Sequence, residues 1–261
     1  MKLEILVTTM HQSDFSKFSQ MNLQTDAVIA NQTDRNEYAE AEINGCTVKL
    51  ISTDSRGVSQ NRNIALAYAS QKSEFIMFSD DDLVFNDGYE QMILDEFEKH
   101  PEADVILFNV NSLNPERPLQ QFTKYQRISR WRALRYGCAH IAVRREKVFY
   151  NNISFSLLFG GGAKYSSGED SLFLQECFRA GLHVYCSPIK IADVQQEVSS
   201  WFEGYTDKYF FDTGVLAATL LPWGCRIYAL LTALKFRKPP KETMHILQLL
   251  NRGINEFKSR E

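Results

Sequence analysis

Apolar residues in the first half of this chain come in short continuous runs, and each run ends abruptly in polar residues. Leu3–Thr8 is the first, and similar runs follow at Ala27–Ala30, Thr47–Ile51, Glu74–Phe78 and Asp104–Val110. Runs of this length, rich in β-formers and lacking polar alternation, predict strands buried on both faces of a parallel sheet. Ser59–Ala69, with its alanines and leucine, predicts a helix capped by Ser59. Gly88–Lys99 predicts a second helix, capped by Asn86 or Asp87, with Tyr89, Met92, Ile93 and Phe97 as its buried stripe. Pro101 ends it by excluding His100 from the helical region. Strands alternating with helices predict an α/β fold around a mostly parallel sheet. Such sheets bind ligands beyond the carboxyl ends of their strands. Polar residues stand at those ends: Thr8, Thr9 and His11; Asn31, Gln32 and Asp34; Asp54, Ser55 and Arg56; Asp80, Asp81 and Asp82.

The second half reads differently. A strand-like Cys138–Val143 and the glycine-rich loop Gly160-Gly161-Gly162 precede Gly168-Glu169-Asp170, which opens a helix running to Arg179. His183–Cys186 is a further short strand, and beyond Trp201 the pattern is helical, broken at Pro222, Gly224, Pro239 and Pro240. The expected organisation is a ligand-binding α/β domain over 1–203 and a C-terminal helical extension over 204–261. Within that extension Gly214–Lys235 is strongly apolar, but Pro222, Gly224 and Arg226 cut it into pieces. A spanning helix needs about 20 apolar residues. The pieces predict a helical pair that packs on the domain or makes peripheral contact with a membrane. Arg226, Lys235, Arg237, Lys238 and Lys241, with Trp223 beside them, suit the second arrangement.

Charge and cysteine content narrow the classes. A net charge of -3 argues against a dedicated nucleic-acid binder. Eight basic residues nevertheless stand between Lys124 and Lys147 against Glu146 alone, which suggests an anionic partner there. The five cysteines are scattered, and no CxxC pair occurs. That pattern signals neither a disulfide framework nor a zinc site, and it fits reduced thiols in the cytoplasm. Met1–Thr9 reads as a first strand, not as a secretion leader.

Three segments carry candidate chemistry. FSDDDLVF is an apolar strand ending in three carboxylates, whose mutual repulsion needs a counter-charge. Mg²⁺ or Mn²⁺ supplies one while joining carboxylates to substrate phosphates. In extended chain Asp80 and Asp82 share a face and Asp81 points away. A solvated acidic turn before the Gly88 helix is the plain alternative. In GGGAKYSSGEDSLFL, Glu169 and Asp170 fall in the first turn of a helix. The helix dipole favours acids there in any protein, and one of the two could also serve as a general base. In STDSRGVSQNRNIALAYA, Arg56 and Arg62 could meet phosphate oxygens, and the phosphate-binding GxxxxGK[ST] pattern is absent.

Taken in order, SRGVSQNRNIAL, FIMFSDDDLVF, LFGGGAKYSSGEDSLFL and SSWFEGYTDKYFFDTG resemble family-2 glycosyltransferases of the GT-A fold, especially bacterial enzymes of capsule, exopolysaccharide and O-antigen assembly. The resemblance spans Thr8 to Gly214. It implies a nucleotide-diphosphate sugar donor, usually UDP-linked, and inverting transfer in a single displacement. Matched to the family's DxD motif, Asp80 and Asp82 would handle Mn²⁺ or Mg²⁺ and the diphosphate, with Asp82 the direct ligand and Asp81 in the donor site. Matched to its ED motif, Asp170 would be the catalytic base and Glu169 the second candidate. Thr8, Thr9, Asp34 and Arg62 would hold the nucleotide, and Gly161, Gly162 and Trp201 would lie in the acceptor region. The implied acceptor is a saccharide, polyprenyl-diphosphate-linked if the C-terminal helices meet the inner face of the cytoplasmic membrane. The basic stretch would then meet that acceptor's diphosphate. The first loop reads TTMHQ, the second strand ends in ANQTD, and a QxxRW motif is absent, all departures from the family's usual pattern. The last argues against a processive synthase. Two other classes compete: a non-catalytic nucleotide-sugar or saccharide-binding domain, which would need no base, and a nucleotidyltransferase, which would carry a glycine-rich loop where Thr9–Ser13 has no glycine.

Overall fold

The computed structural model describes residues 1–195, 204–236 and 238–259. Strand β1 (Leu3–Met10) leads through the short α1 (Ser16–Gln20) to β2 (Asp26–Gln32), then to β3 (Glu37–Ile43) and β4 (Cys46–Thr53). Helix α2 (Val58–Ala67) precedes β5 (Phe75–Asp80) and β6 (Leu83–Phe85), and α3 (Tyr89–Lys99) precedes β7 (Val105–Ser112). Next come β8 (Gln126–Arg127), α4 (Arg130–Ala133), β9 (Ile141–Arg144), α5 (Arg145–Tyr150), α6 (Glu169–Arg179) and β10 (Val184–Val194). Three helices follow: α7 (Asp207–Leu220), α8 (Cys225–Lys235) and α9 (Pro240–Lys258).

The strands form one sheet in the order β3-β4-β2-β1-β5-β9-β7-β10-β6, with β8 paired to β10. Strands β4, β2, β1 and β5 are mutually parallel, as are β7 and β10, while β3, β6, β8 and β9 run against their neighbours. This is the α/β, mostly parallel central sheet with flanking helices that the residue pattern predicts. Because side chains alternate across a strand, each apolar run feeds two cores. Leu3, Ile5 and Val7 join Ala27, Ile29, Phe75 and Met77 on one face, under α3. Leu6 joins Val28, Ala30, Ile76 and Phe78 on the other, under α2 and α6. The β1, β2, β4 and β5 chains all emerge at the same edge.

Local differences from expectation have local causes. Helix α2 starts at Val58, with Gly57 in the cap position at φ 125°, so the chain turns two residues before Ser59. Helix α3 likewise starts after Gly88 at φ 72°, while the Asp87 carboxylate accepts from Asn22 and Gln24. The expected strand at Cys138–Val143 is a 3₁₀ turn over Cys138–His140 and a strand only from Ile141.

Chain contacts separate two compact units, Met1–Leu157 with Asp170–Val198, and Leu158–Glu169 with Ser199–Glu261. The second unit has its own core of Phe210, Ala217, Ala218, Ala229, Ala233, Leu249, Leu250 and Ile254. Helices α7 and α9 cross at two glycines. A Cβ on Gly214 would stand 2.1 Å from the Leu250 carbonyl oxygen, and one on Gly253 2.1 Å from that of Phe211. Asp212, only 4% exposed, anchors the loop before α6: it accepts from the Ser166 N–H at 2.9 Å and hydroxyl at 2.8 Å, and pairs with Lys208.

Candidate active site

Thr8 stands opposite Asp80 on adjacent parallel strands, and its hydroxyl donates to Asp80 Oδ1 over 3.0 Å. Strand β5 ends at Asp80, and Asp81 and Asp82 enter a turn. The two-residue periodicity therefore stops there, and the three carboxylates take three environments. Asp81 accepts from the Thr9 hydroxyl at 2.5 Å and faces the Lys17 ammonium at 3.5 Å. Asp82 has no side-chain partner among the described residues. Its carboxylate reaches solvent, but crowding by surrounding protein, and then the charges of Asp80 and Asp81, push its pKa up to about 6.

Helix α2 ties this edge together with three consecutive side chains. Asn61, fully buried, donates to the carbonyls of Ala30 at 2.8 Å and Thr9 at 3.2 Å, which holds the helix start against β1 and β2. Asn63 exchanges two hydrogen bonds with the Phe155 backbone, at 2.8 and 2.9 Å. Between them Arg62, 4% exposed, donates through one nitrogen to Asp80 Oδ1 at 2.9 Å and through another to Asp170 Oδ1 at 2.7 Å. Its guanidinium carbon also lies 5.4 Å from the Phe155 ring centroid. A planar fork of donors suits such a bridge in a way an ammonium does not.

Asp170 stands in the first turn of α6, and its Oδ2 lies against Gly137, where a Cβ would come within 3.2 Å. Glu169, the first residue of α6, is buried. Thr8, Arg62, Asp80 and Asp170 are thus one hydrogen-bonded chain, and Thr9, Asp81 and Lys17 a second beside it. Asp34 is exposed and bonds within its own loop: the Thr33 hydroxyl, at 3.0 Å, lowers its pKa. Gly161 and Gly162 belong to the loop before α6, with Gly162 at φ 81° and Gly160 N–H bonded to the Tyr165 carbonyl at 2.9 Å. Trp201 lies outside the described residues. Lys17, Asn61 and Gly137 were not singled out from sequence. Asn61 sits in the SQNRN string that drew attention to Arg62, whereas Lys17 on a five-residue helix left no pattern.

The basic stretch divides in two. Arg144 donates to the Ala103 carbonyl and stacks over Phe75 and Phe97, Arg145 lies over Phe149, and Lys147 pairs with Asp104. Those three are structural. Arg127, Arg130, Arg132 and Arg135 are exposed, with Arg130 over the ring of Trp131. They stand next to α6, since Ser171 and Gln175 bond the carbonyls of Leu134 and Arg130.

Among the described residues no three His, Cys, Asp or Glu side chains gather into a metal cage. A hard cation that keeps water and phosphate ligands needs only one or two carboxylates. Asp82, whose carboxylate has no side-chain hydrogen-bond partner among the described residues, and Asp80, whose bonds to Thr8 and Arg62 both fall on Oδ1, meet that requirement.

Residues 31–153, which include α2, Asp80–Asp82 and the exposed arginines, match the glycosyl transferase family 2 profile. The matched segment covers just under half of the chain. No curated protein matches it. Among solved structures, a fragment of S. aureus TarS, residues 1–349, in complex with UDP-GlcNAc superposes with a TM-score of 0.62 at 16% identity, covering 99% of this chain and 74% of that one. The same fragment in complex with UDP gives a TM-score of 0.60 at 16% identity, over 100% and 71%. Against the longer S. aureus TarS structure the TM-score is 0.60 at 16% identity, and this chain spans 45% of that protein. At such identity the likeness establishes the fold, in agreement with the expected GT-A architecture and its C-terminal helices. Among the described residues no helix is long and apolar enough to cross a membrane.

Proposed function

We propose that this chain is a family-2 glycosyltransferase, moving a glycosyl group from a UDP-sugar to a hydroxyl of a saccharide acceptor with inversion. The observation that carries the reading is the Arg62 bridge. It brings Asp80, from the carboxylate-rich end of β5, and Asp170, 90 positions further along the chain, onto one guanidinium at the ligand-binding edge. Neighbours that bind UDP-GlcNAc and UDP on the same fold support the donor class.

In this reading Thr8 and Thr9 line the donor end of β1 and fix the orientations of Asp80 and Asp81. Asp80 and Asp82 would hold a divalent cation, Mn²⁺ or Mg²⁺, which would offset the negative charge growing on the departing UDP. Asp170 accepts the proton of the attacking hydroxyl through a carboxylate aimed by Arg62, with Gly137 leaving it room. Transfer forms the new C–O bond on the face opposite the leaving phosphate oxygen, and the acceptor's proton ends on Asp170. The exposed arginines beside α6 offer the acceptor side a positive surface suited to a diphosphate-linked saccharide.

UDP release, measured over a panel of UDP-sugars with and without Mn²⁺, tests the reading. It predicts turnover by at least one donor, abolished by chelation and by Asp170→Asn. Release that no donor supports, or that Asp170→Asn leaves unchanged, would refute it.

A further inference from the structure

Helix α8 buries Cys225, Ala229 and Ala233 against its own unit, all small, and turns its large apolar side chains outward. Ile227 is 66% exposed, Leu230 45%, Leu231 62% and Leu234 55%, and Trp223, just before the helix, is 99% exposed. At about 3.6 residues per turn these positions fall on one face, with Arg226 on one flank and Lys235 on the other. An outward stripe of this kind has no function in a stable solvated helix. Charge says what covers it. From Thr213 to Lys241 the sequence holds Arg226, Lys235, Arg237, Lys238 and Lys241 and no Asp or Glu. An apolar stripe with cations on its flanks and a Trp at its end matches a bilayer interface, where the stems of Arg and Lys lie along the acyl boundary and their heads reach anionic phosphates. Its 11 residues suit a helix lying in the surface and are too few to span.

We infer that α8 lies in the headgroup region of an anionic membrane, inserting Trp223, Ile227, Leu230, Leu231 and Leu234. This contact is independent of the catalytic assignment, because none of these residues belongs to the carboxylate site.

Co-sedimentation of the full chain with large vesicles of phosphatidylcholine and phosphatidylglycerol, 3:1, against phosphatidylcholine alone, tests it. The wild type is expected to pellet with the anionic vesicles and much less with the neutral ones. Ile227→Gln/Leu231→Gln, on exposed positions that the fold does not need, should lower the partition coefficient about tenfold or more. Lys235→Glu/Lys238→Glu should weaken binding to the anionic vesicles only. Wild type that stays in the supernatant at low salt, or a glutamine variant that pellets equally, overturns the inference. So does sedimentation equilibrium without lipid that shows a wild-type dimer and a monomeric glutamine variant, since the stripe would then be covered by a second copy. Circular dichroism of the variants confirms that the helices persist.

Discussion

Replacing Arg62 with Ala removes two charge-assisted hydrogen bonds, at 2.7 and 2.9 Å, from a side chain that is 4% exposed. Each bond of this type contributes about 1.5–3 kcal/mol. The Asp80 and Asp170 side chains are 41% and 24% exposed, however, so water recovers part of the loss, most of it at Asp80. The expected destabilisation is about 2–4 kcal/mol, including the packing lost over Phe155. For a chain of this size each kcal/mol lowers Tm by about 2–4 °C, so differential scanning calorimetry should show a drop of roughly 5–15 °C. Arg62→Lys keeps the charge but cannot fork between two carboxylates, and should lose more than half as much. Activity separates the bridge from general stability: at a temperature where both proteins are folded, UDP release by Arg62→Lys should fall by about tenfold or more, because Asp170 is no longer aimed. If Arg62→Lys melts and turns over like the wild type, the bridge is incidental and the reading built on it fails.

Other expectations follow from the same geometry. Asp170→Asn should reduce acceptor-dependent UDP release by about 10²–10⁴-fold while leaving UDP binding, measured by calorimetry, within about threefold of the wild type. Asp82, with a pKa of about 6 against 3.8 unperturbed, costs the metal-free fold stability when ionised. Asp82→Asn should therefore raise Tm at pH 7, with a gain that shrinks as pH falls from 6 to 4 and disappears below that; a gain constant with pH would show that charge is not its source. Gly214→Ala puts a methyl 2.1 Å from the Leu250 carbonyl oxygen and should cost about 1–3 kcal/mol in urea denaturation; an unchanged midpoint would mean that α7 and α9 slide apart freely. Gly168→Ala meets both a φ of 116° and the Leu216 side chain at 2.6 Å, so it should lower UDP release by displacing the start of α6.

Much of the central sheet was legible because β1, β2, β5 and β7 are buried on both faces along most of their length and read as apolar runs, and β4, half-buried at Lys49, keeps enough of the pattern in Val48, Leu50 and Ile51. Strand β3 was not, although Asn44-Gly45 is a strong hairpin signal and both residues adopt positive φ, 53° and 79°. Its EYAEAEI sequence alternates at an exposed edge, a pattern that a search for continuous apolar runs passes over. Strand β10 runs well past the expected His183–Cys186, to Val194, through two register shifts and with Pro188 inside it. In the candidate site, the place of Asp80 at a strand's carboxyl end was legible from the residue pattern, whereas position left Glu169 and Asp170 equal and only the resemblance to the ED motif chose between them. The connection of Asp80 to Asp170 was not legible, since nothing local indicates that Arg62 reaches residues 18 and 108 positions away. That pairing comes from the sheet order, which no local pattern encodes.

One guanidinium shared by two carboxylates has a thermodynamic corollary. Any ligand that draws Asp80 away from Arg62 alters how firmly Asp170 is held, and any ligand that engages Asp170 alters Asp80 by the same factor. The two ends of the edge are therefore linked before a substrate arrives. In a transferase this linkage appears as a donor affinity that depends on whether the acceptor is bound, equal in size to the effect of donor on acceptor.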